Sequence, residues 1–114
     1  MLKGIDPLLN ADVLGVLRAM GHGDMLILSD ANFPSETVVA KTTHGKLLRV
    51  DRGVPEVVRA VMSVLPLDTF VDDFAGRMEV VGDPGAVPEV QAEVQALIAE
   101  TGETRAMVPV ERFA

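Results

Sequence analysis

Between Gly21 and Pro34 the sequence reads Gly-His-Gly-Asp, then Met-Leu-Ile-Leu-Ser, then Asp-Ala-Asn-Phe-Pro. A short apolar run between two carboxylates, Asp24 and Asp30, is the pattern of a short buried strand, here Met25 to Ser29. Extended throughout, such a strand would hold Asp24 and Asp30 roughly 20 Å apart at about 3.3 Å per residue. His22 and Asp30 share a pocket only if the loop around His22 folds back, or if another chain packs alongside. Gly21 and Gly23 permit a fold-back, because glycine reaches positive φ without steric cost.

Taken singly, each of these residues has an ordinary structural role. Gly21 follows a helical pattern and suits a C-terminal cap, and Asp30 suits the first position of a turn. Together they are more telling. A strand-end carboxylate beside a histidine set between glycines belongs at a ligand crevice of an α/β fold.

Helical and strand patterns alternate along the chain. Asn10 is a good N-cap, Asp12 adds a first-turn charge, and Val13, Leu14, Val16, Leu17 and Met20 recur at helical spacing, predicting a helix over Ala11–Met20. Thr37–Lys41 and Lys46–Val50 are read as two short strands around the turn Thr43-His44-Gly45. His44 belongs at a solvated turn tip and receives no role. Pro55 opens a second helix with Val54, Val57, Val58, Val61, Met62 and Leu65 on one stripe. Leu67 to Phe74, with Asp68, Asp72 and Asp73, lacks the spacing of a calcium loop and reads as a solvated loop. Arg77–Val81 is read as a strand, Asp83-Pro84-Gly85 as a turn, and Pro88 to Gly102 as a third helix. Arg105–Val110 is the final predicted strand, with Pro109 marking an edge or a strand end. The alternation predicts an α/β fold in three layers, α/β/α, around a mixed sheet of short strands.

A chain of 114 residues makes one domain with a single core. With 48% hydrophobic residues it still has no apolar run near the ~20 residues a membrane crossing needs. The absence of cysteine excludes thiol chemistry and disulfides and fits a cytoplasmic protein. A net charge of −7 without a basic run argues against nucleic acid as partner. No zinc spacing, phosphate-cradling loop or nucleophile elbow is present. A histidine, carboxylates and an arginine remain, a set suited to proton transfer on a neutral polar substrate.

The motifs MGHGD at Met20 to Asp24 and LSDANFP at Leu28 to Pro34 resemble the L-fucose mutarotases, relatives of the D-ribose pyranases. The opening Met1-Leu2-Lys3-Gly4-Ile5 and the closing Arg112-Phe113-Ala114 are similar to the same family. The resemblance implies a monosaccharide mutarotase that opens and recloses the sugar ring by acid/base chemistry, without metal or other cofactor. It implies His22 as the catalytic acid/base and Asp30 and Arg112 as sugar-binding residues. Asp24, within the motif, is expected to hold the His22 loop through backbone N–H groups. A homo-oligomer, ring-like in bacterial members, is implied as well. Phe33-Pro34 after Asp-Ala-Asn, with Arg at position 112, favours the fucose branch over pyranose–furanose interconversion of ribose. A non-catalytic sugar-binding module and a purely structural oligomerisation domain compete with the enzymatic reading. The family continues past the Arg-Phe-Ala block with a tyrosine and an asparagine that contact sugar, whereas this sequence ends at Ala114 and has no tyrosine. The expectation is therefore that the C-terminal part of the family domain is missing, or that the site is completed differently.

Overall fold

The computed structural model describes residues 2–29, 33, 35–68, 70–80, 82–83 and 85–110. The chain divides into two compact units, Met1–Leu65 and Pro66–Ala114.

In the first unit, helix α1 (Ala11–Ala19) starts where the sequence signals it. The Asn10 side chain accepts the Val13 N–H at 3.0 Å, satisfying an otherwise orphaned donor and contributing about 1 kcal/mol. Asp12 in the first turn and Arg18 in the last complement the helix dipole. Leu9, Val13 and Leu17, four residues apart, form the buried stripe. They pack with Ala60 and Val61 of α3 (Val54–Met62), where the fully buried Ala60 leaves room for close approach. Pro55 sits in the first turn of α3, where its missing N–H costs nothing.

Three predicted strands in this unit are corrected. Thr37–Lys41 contributes to a short helix, α2 (Ser35–Val39). Its β-branched residues favour a strand by propensity alone, but local context overrides so weak a bias. Glu36 lies in the first helical turn, and its carboxylate accepts from Arg49 Nη2 at 2.6 Å. Met25–Ser29 and Lys46–Val50 belong to no strand ladder among the described residues. A strand is defined by a partner's hydrogen bonds, and five-residue runs do not hold that form alone. The apolar signal is half realised: Leu26, Leu48 and Val50 pack against the core, while Met25 and Ile27 are 82% and 68% exposed.

The second unit is a parallel crossover. Strand β1 (Gly76–Met78) leads through α4 (Glu89–Glu100) to β2 (Val108–Val110), with Gly76 opposite Val108 and Met78 opposite Val110. Val108 N–H donates to Ala75 O and Glu79 N–H donates to Val110 O, each at 2.9 Å. Residues 108 and 110 thus turn their backbone groups toward β1. By alternation Pro109 turns its nitrogen outward, where a missing N–H breaks no bond. Gly76 permits the close pairing: a Cβ there would lie 3.2 Å from Val110 Cγ2.

Helix α4 is tied to the strands by glutamines one turn apart, which apolar periodicity does not single out. Gln91 Nε2 donates to Met78 O at 3.0 Å. Gln95 behaves like a strand partner, donating Nε2 to Arg105 O at 3.0 Å and accepting Met107 N–H at 2.7 Å. Gly102 ends the helix with φ +95°, its N–H donating to Ala99 O.

The loop read as solvated between Leu67 and Phe74 is pinned at one end by Arg105. That guanidinium stacks 4.5 Å from the centre of the Phe74 ring, donates to Val71 O at 3.1 Å and makes a two-pronged pair with Glu103 at 3.0 Å on each arm. The described fold is mixed α/β with a small parallel sheet.

Candidate active site

Helix α1 ends at Met20, whose extended backbone directs the chain into the turn Gly21–Asp24. Asp24 N–H donates to Gly21 O at 3.1 Å and Gly21 N–H donates to Asp24 Oδ2 at 2.8 Å. The main-chain bond closes a four-residue turn with His22 and Gly23 at its centre. Gly23 has φ +87°, the value a type II turn demands at its third residue. The carboxylate adds a second bond across the same gap. His22 is thereby carried at the exposed apex of a turn closed twice, its side chain accessible to a ligand.

Asp24 therefore engages the loop's own backbone. Asp30 and Arg112 lie outside the described residues. Among the described residues no three histidine or carboxylate groups gather in a way that could hold a metal ion. His44 is exposed on a turn in which Thr42 Oγ1 accepts the Gly45 N–H at 3.0 Å.

The first unit also encloses an open cavity of about 1250 Å³. Asp24, Ser29, Phe33, Ser35 and His44 line it, together with apolar residues of α1 and α3, while His22 is not part of its wall. Its volume exceeds the roughly 300–1,000 Å³ usual for small-molecule pockets. The chemistry available at His22 is that of an accessible imidazole, a side chain able to serve as general acid or base.

The sequence pattern of the RbsD / FucU transport protein family matches residues 3–114. The chain belongs to this family. Among its relatives, the fucose mutarotase of Homo sapiens is 37% identical over 98% of this chain and 74% of its own length. The L-fucose mutarotase of Actinobacillus pleuropneumoniae is 36% identical, covering 100% of this chain and 77% of the relative. Solved structures agree. The crystal structure of protein Atu2016 superposes with a TM-score of 0.94 at 52% identity, over 100% of this chain and 77% of that one. FucU from Bifidobacterium longum superposes with a TM-score of 0.85 at 35% identity, over 97% and 78% of the two chains. Membership in the RbsD / FucU family thus rests on sequence and fold together. No helix among the described residues is long and apolar enough to cross a membrane.

Proposed function

We propose that this RbsD / FucU family member is a sugar mutarotase, an isomerase interconverting the anomers of L-fucose or a related monosaccharide. One observation carries the proposal: relatives named fucose mutarotase match 98% and 100% of this chain at 37% and 36% identity. The accessible His22 turn is the local feature that supports it.

The reaction moves protons and one carbon–oxygen bond. The anomeric hydroxyl gives up its proton as its oxygen becomes the aldehyde carbonyl, and the bond from the anomeric carbon to the ring oxygen breaks. The ring oxygen takes up a proton. Rotation about the neighbouring carbon–carbon bond and reclosure on the other face yield the second anomer. In this proposal His22 is the catalytic acid/base, for which a positioned group contributes about 10²–10⁴-fold. Asp30 and Arg112 bind the sugar hydroxyls, and Asp24 supports the His22 turn from behind. Two bonds across that turn fix the backbone that carries the imidazole.

The same proposal treats residues 1–114 as one mutarotase-like domain of three-layer α/β/α form. The family match over residues 3–114 supports that extent. Cytoplasmic residence and homo-oligomeric assembly, a ring included, are also proposed. The cysteine-free composition fits the first, and the exposed Met25 and Ile27 fit the second.

The test is magnetisation exchange between the α and β anomers of L-fucose followed by NMR. Exchange accelerated in proportion to protein concentration is the expected result. Sugar binding without acceleration would replace the catalyst with a non-catalytic sugar-binding module, and acceleration with D-ribose alone would move the chain to the pyranase branch.

A further inference from the structure

Residues 70–73 of the second unit are exposed, so no buried side chain anchors them. Phe70 is 93% exposed. A run without buried apolar contacts belongs to the low-stability end of a fold, where segments open locally. The run nevertheless has fixed partners. Phe70 N–H donates to Asp68 Oδ1 at 3.2 Å, a contact within one turn. Val71 O accepts from Arg105 Nη1 at 3.1 Å, across 34 residues of sequence.

Arg105 is itself fastened from several sides. Its carbonyl accepts Gln95 Nε2 at 3.0 Å, which ties its backbone to α4. Its Nε and Nη2 donate to the two Glu103 oxygens at 3.0 Å each, and its amide donates to Glu103 Oε1 at 2.9 Å. The guanidinium carbon lies 4.5 Å from the centre of the half-buried Phe74 ring. A planar fork can serve a carboxylate, a ring face and a carbonyl at once, which a single ammonium cannot.

We infer that Arg105 is a strap across the 70–74 loop, fastened to α4 and Glu103 at one end and to Val71 and Phe74 at the other. Its release lets the loop open while β1, β2 and α4 keep their fold. The strands and the helix have ties of their own, through Val108 N–H to Ala75 O, Gln91 to Met78 O and Gln95 to the Met107 amide. None of these passes through the guanidinium. Apart from the short Asp68 contact, the exposed run has no buried side chain to resist opening, so the strap sets how often it opens. The device is independent of the sugar chemistry assigned to His22.

The experiment is native-state proteolysis of the full chain with chymotrypsin, which cuts after aromatic residues. The cut after Phe70 is followed by mass spectrometry at urea concentrations below the unfolding transition, for the parent, Arg105→Gln, Arg105→Lys and Glu103→Gln. Cleavage of a transiently opened segment reports the population of its open form. Arg105→Gln should be cut after Phe70 about tenfold faster than the parent, the loss expected for a bond to a charged group. Arg105→Lys keeps the charge without the fork and should be cut within about twofold of the Arg105→Gln rate. Glu103→Gln weakens only the fastening of the guanidinium and should be cut about threefold faster than the parent, which decides the matter if Arg105→Gln does not fold. In each protein the rate should depend weakly on urea, the mark of local opening. A rate that climbs with urea as steeply as global unfolding would overturn the strap, because the loop then opens only with the whole unit. Parental rates in both Arg105→Gln and Glu103→Gln would overturn it too. A parental rate in Arg105→Lys would assign the hold to charge alone, with the same result.

Discussion

Gly21 and Asp24 are bonded twice, amide to carboxylate at 2.8 Å and amide to carbonyl at 3.1 Å, with His22 on the turn between them. The helix end, the glycine conformation and the carboxylate all act on the backbone turn that carries one imidazole. Two variants separate its chemistry from its support. His22→Ala is expected to slow anomer exchange by about 10²-fold or more, with a smaller effect on sugar affinity. Asp24→Ala, which keeps the imidazole and removes its brace, should lower the rate by about three- to tenfold. NMR exchange rates at saturating L-fucose check both, and a rate for folded His22→Ala equal to that of the parent would remove His22 from the mechanism.

Gly23 can be challenged through its backbone alone. At φ +87° a Cβ meets no neighbour within 4 Å, so Gly23→Ala introduces conformational strain without a clash. The strain is about 1–2 kcal/mol for an L residue in that region. It can be relieved by shifting the turn, and the expected result is slower exchange with a smaller effect on melting temperature. A substitution at Gly21, whose φ is not positive, should disturb the turn less.

Acid should act on the Glu103–Arg105 pair. The Arg105 guanidinium and amide hydrogen-bond to the Glu103 carboxylate and hold its pKa below the ordinary carboxylate value. A carboxyl lowered in the folded state stabilises the fold above its unfolded pKa, near 4.3. That contribution is lost as pH falls through the folded value. Glu103→Gln should therefore be less stable than the parent at neutral pH, with the gap narrowing below about pH 4. Denaturant titrations of both proteins across pH 3 to 7 measure the gap, and a constant difference would mean the pair contributes nothing that depends on charge.

The close approach of the second unit's strands predicts a compensating pair. In Gly76→Ala the new methyl would sit 3.2 Å from Val110 Cγ2 and 3.4 Å from Val108 O, tighter than ordinary contact. Overpacking of this kind costs about 1–3 kcal/mol. Adding Val110→Ala removes the nearer atom and should recover part of that loss. A double-mutant cycle on unfolding free energies reads the coupling directly, and strict additivity would show that strand separation had absorbed the methyl.

The three long helices are legible in the residues because their signals are local. Asn10, Pro55 and Gly102 act within one helical turn, and the stripes through Val13 and Leu17 or Val58 and Val61 repeat at the helix's own period. The His22 turn is partly legible for the same reason, since two glycines and a carboxylate lie within four residues. Asp30 and Arg112 stand on motif resemblance alone. What the tertiary structure decided was pairing. Met25–Ser29 carries a strand's composition but no ladder among the described residues, and Thr37–Val39 joins a helix in spite of its β-branched side chains. Gln95 finds Arg105 and Met107 across 10 and 12 residues, and Arg105 reaches Val71 across 34. A helix satisfies its backbone within itself, so sequence announces it. A strand or a side-chain clamp is completed by atoms far along the chain, and only the fold determines which atoms those are.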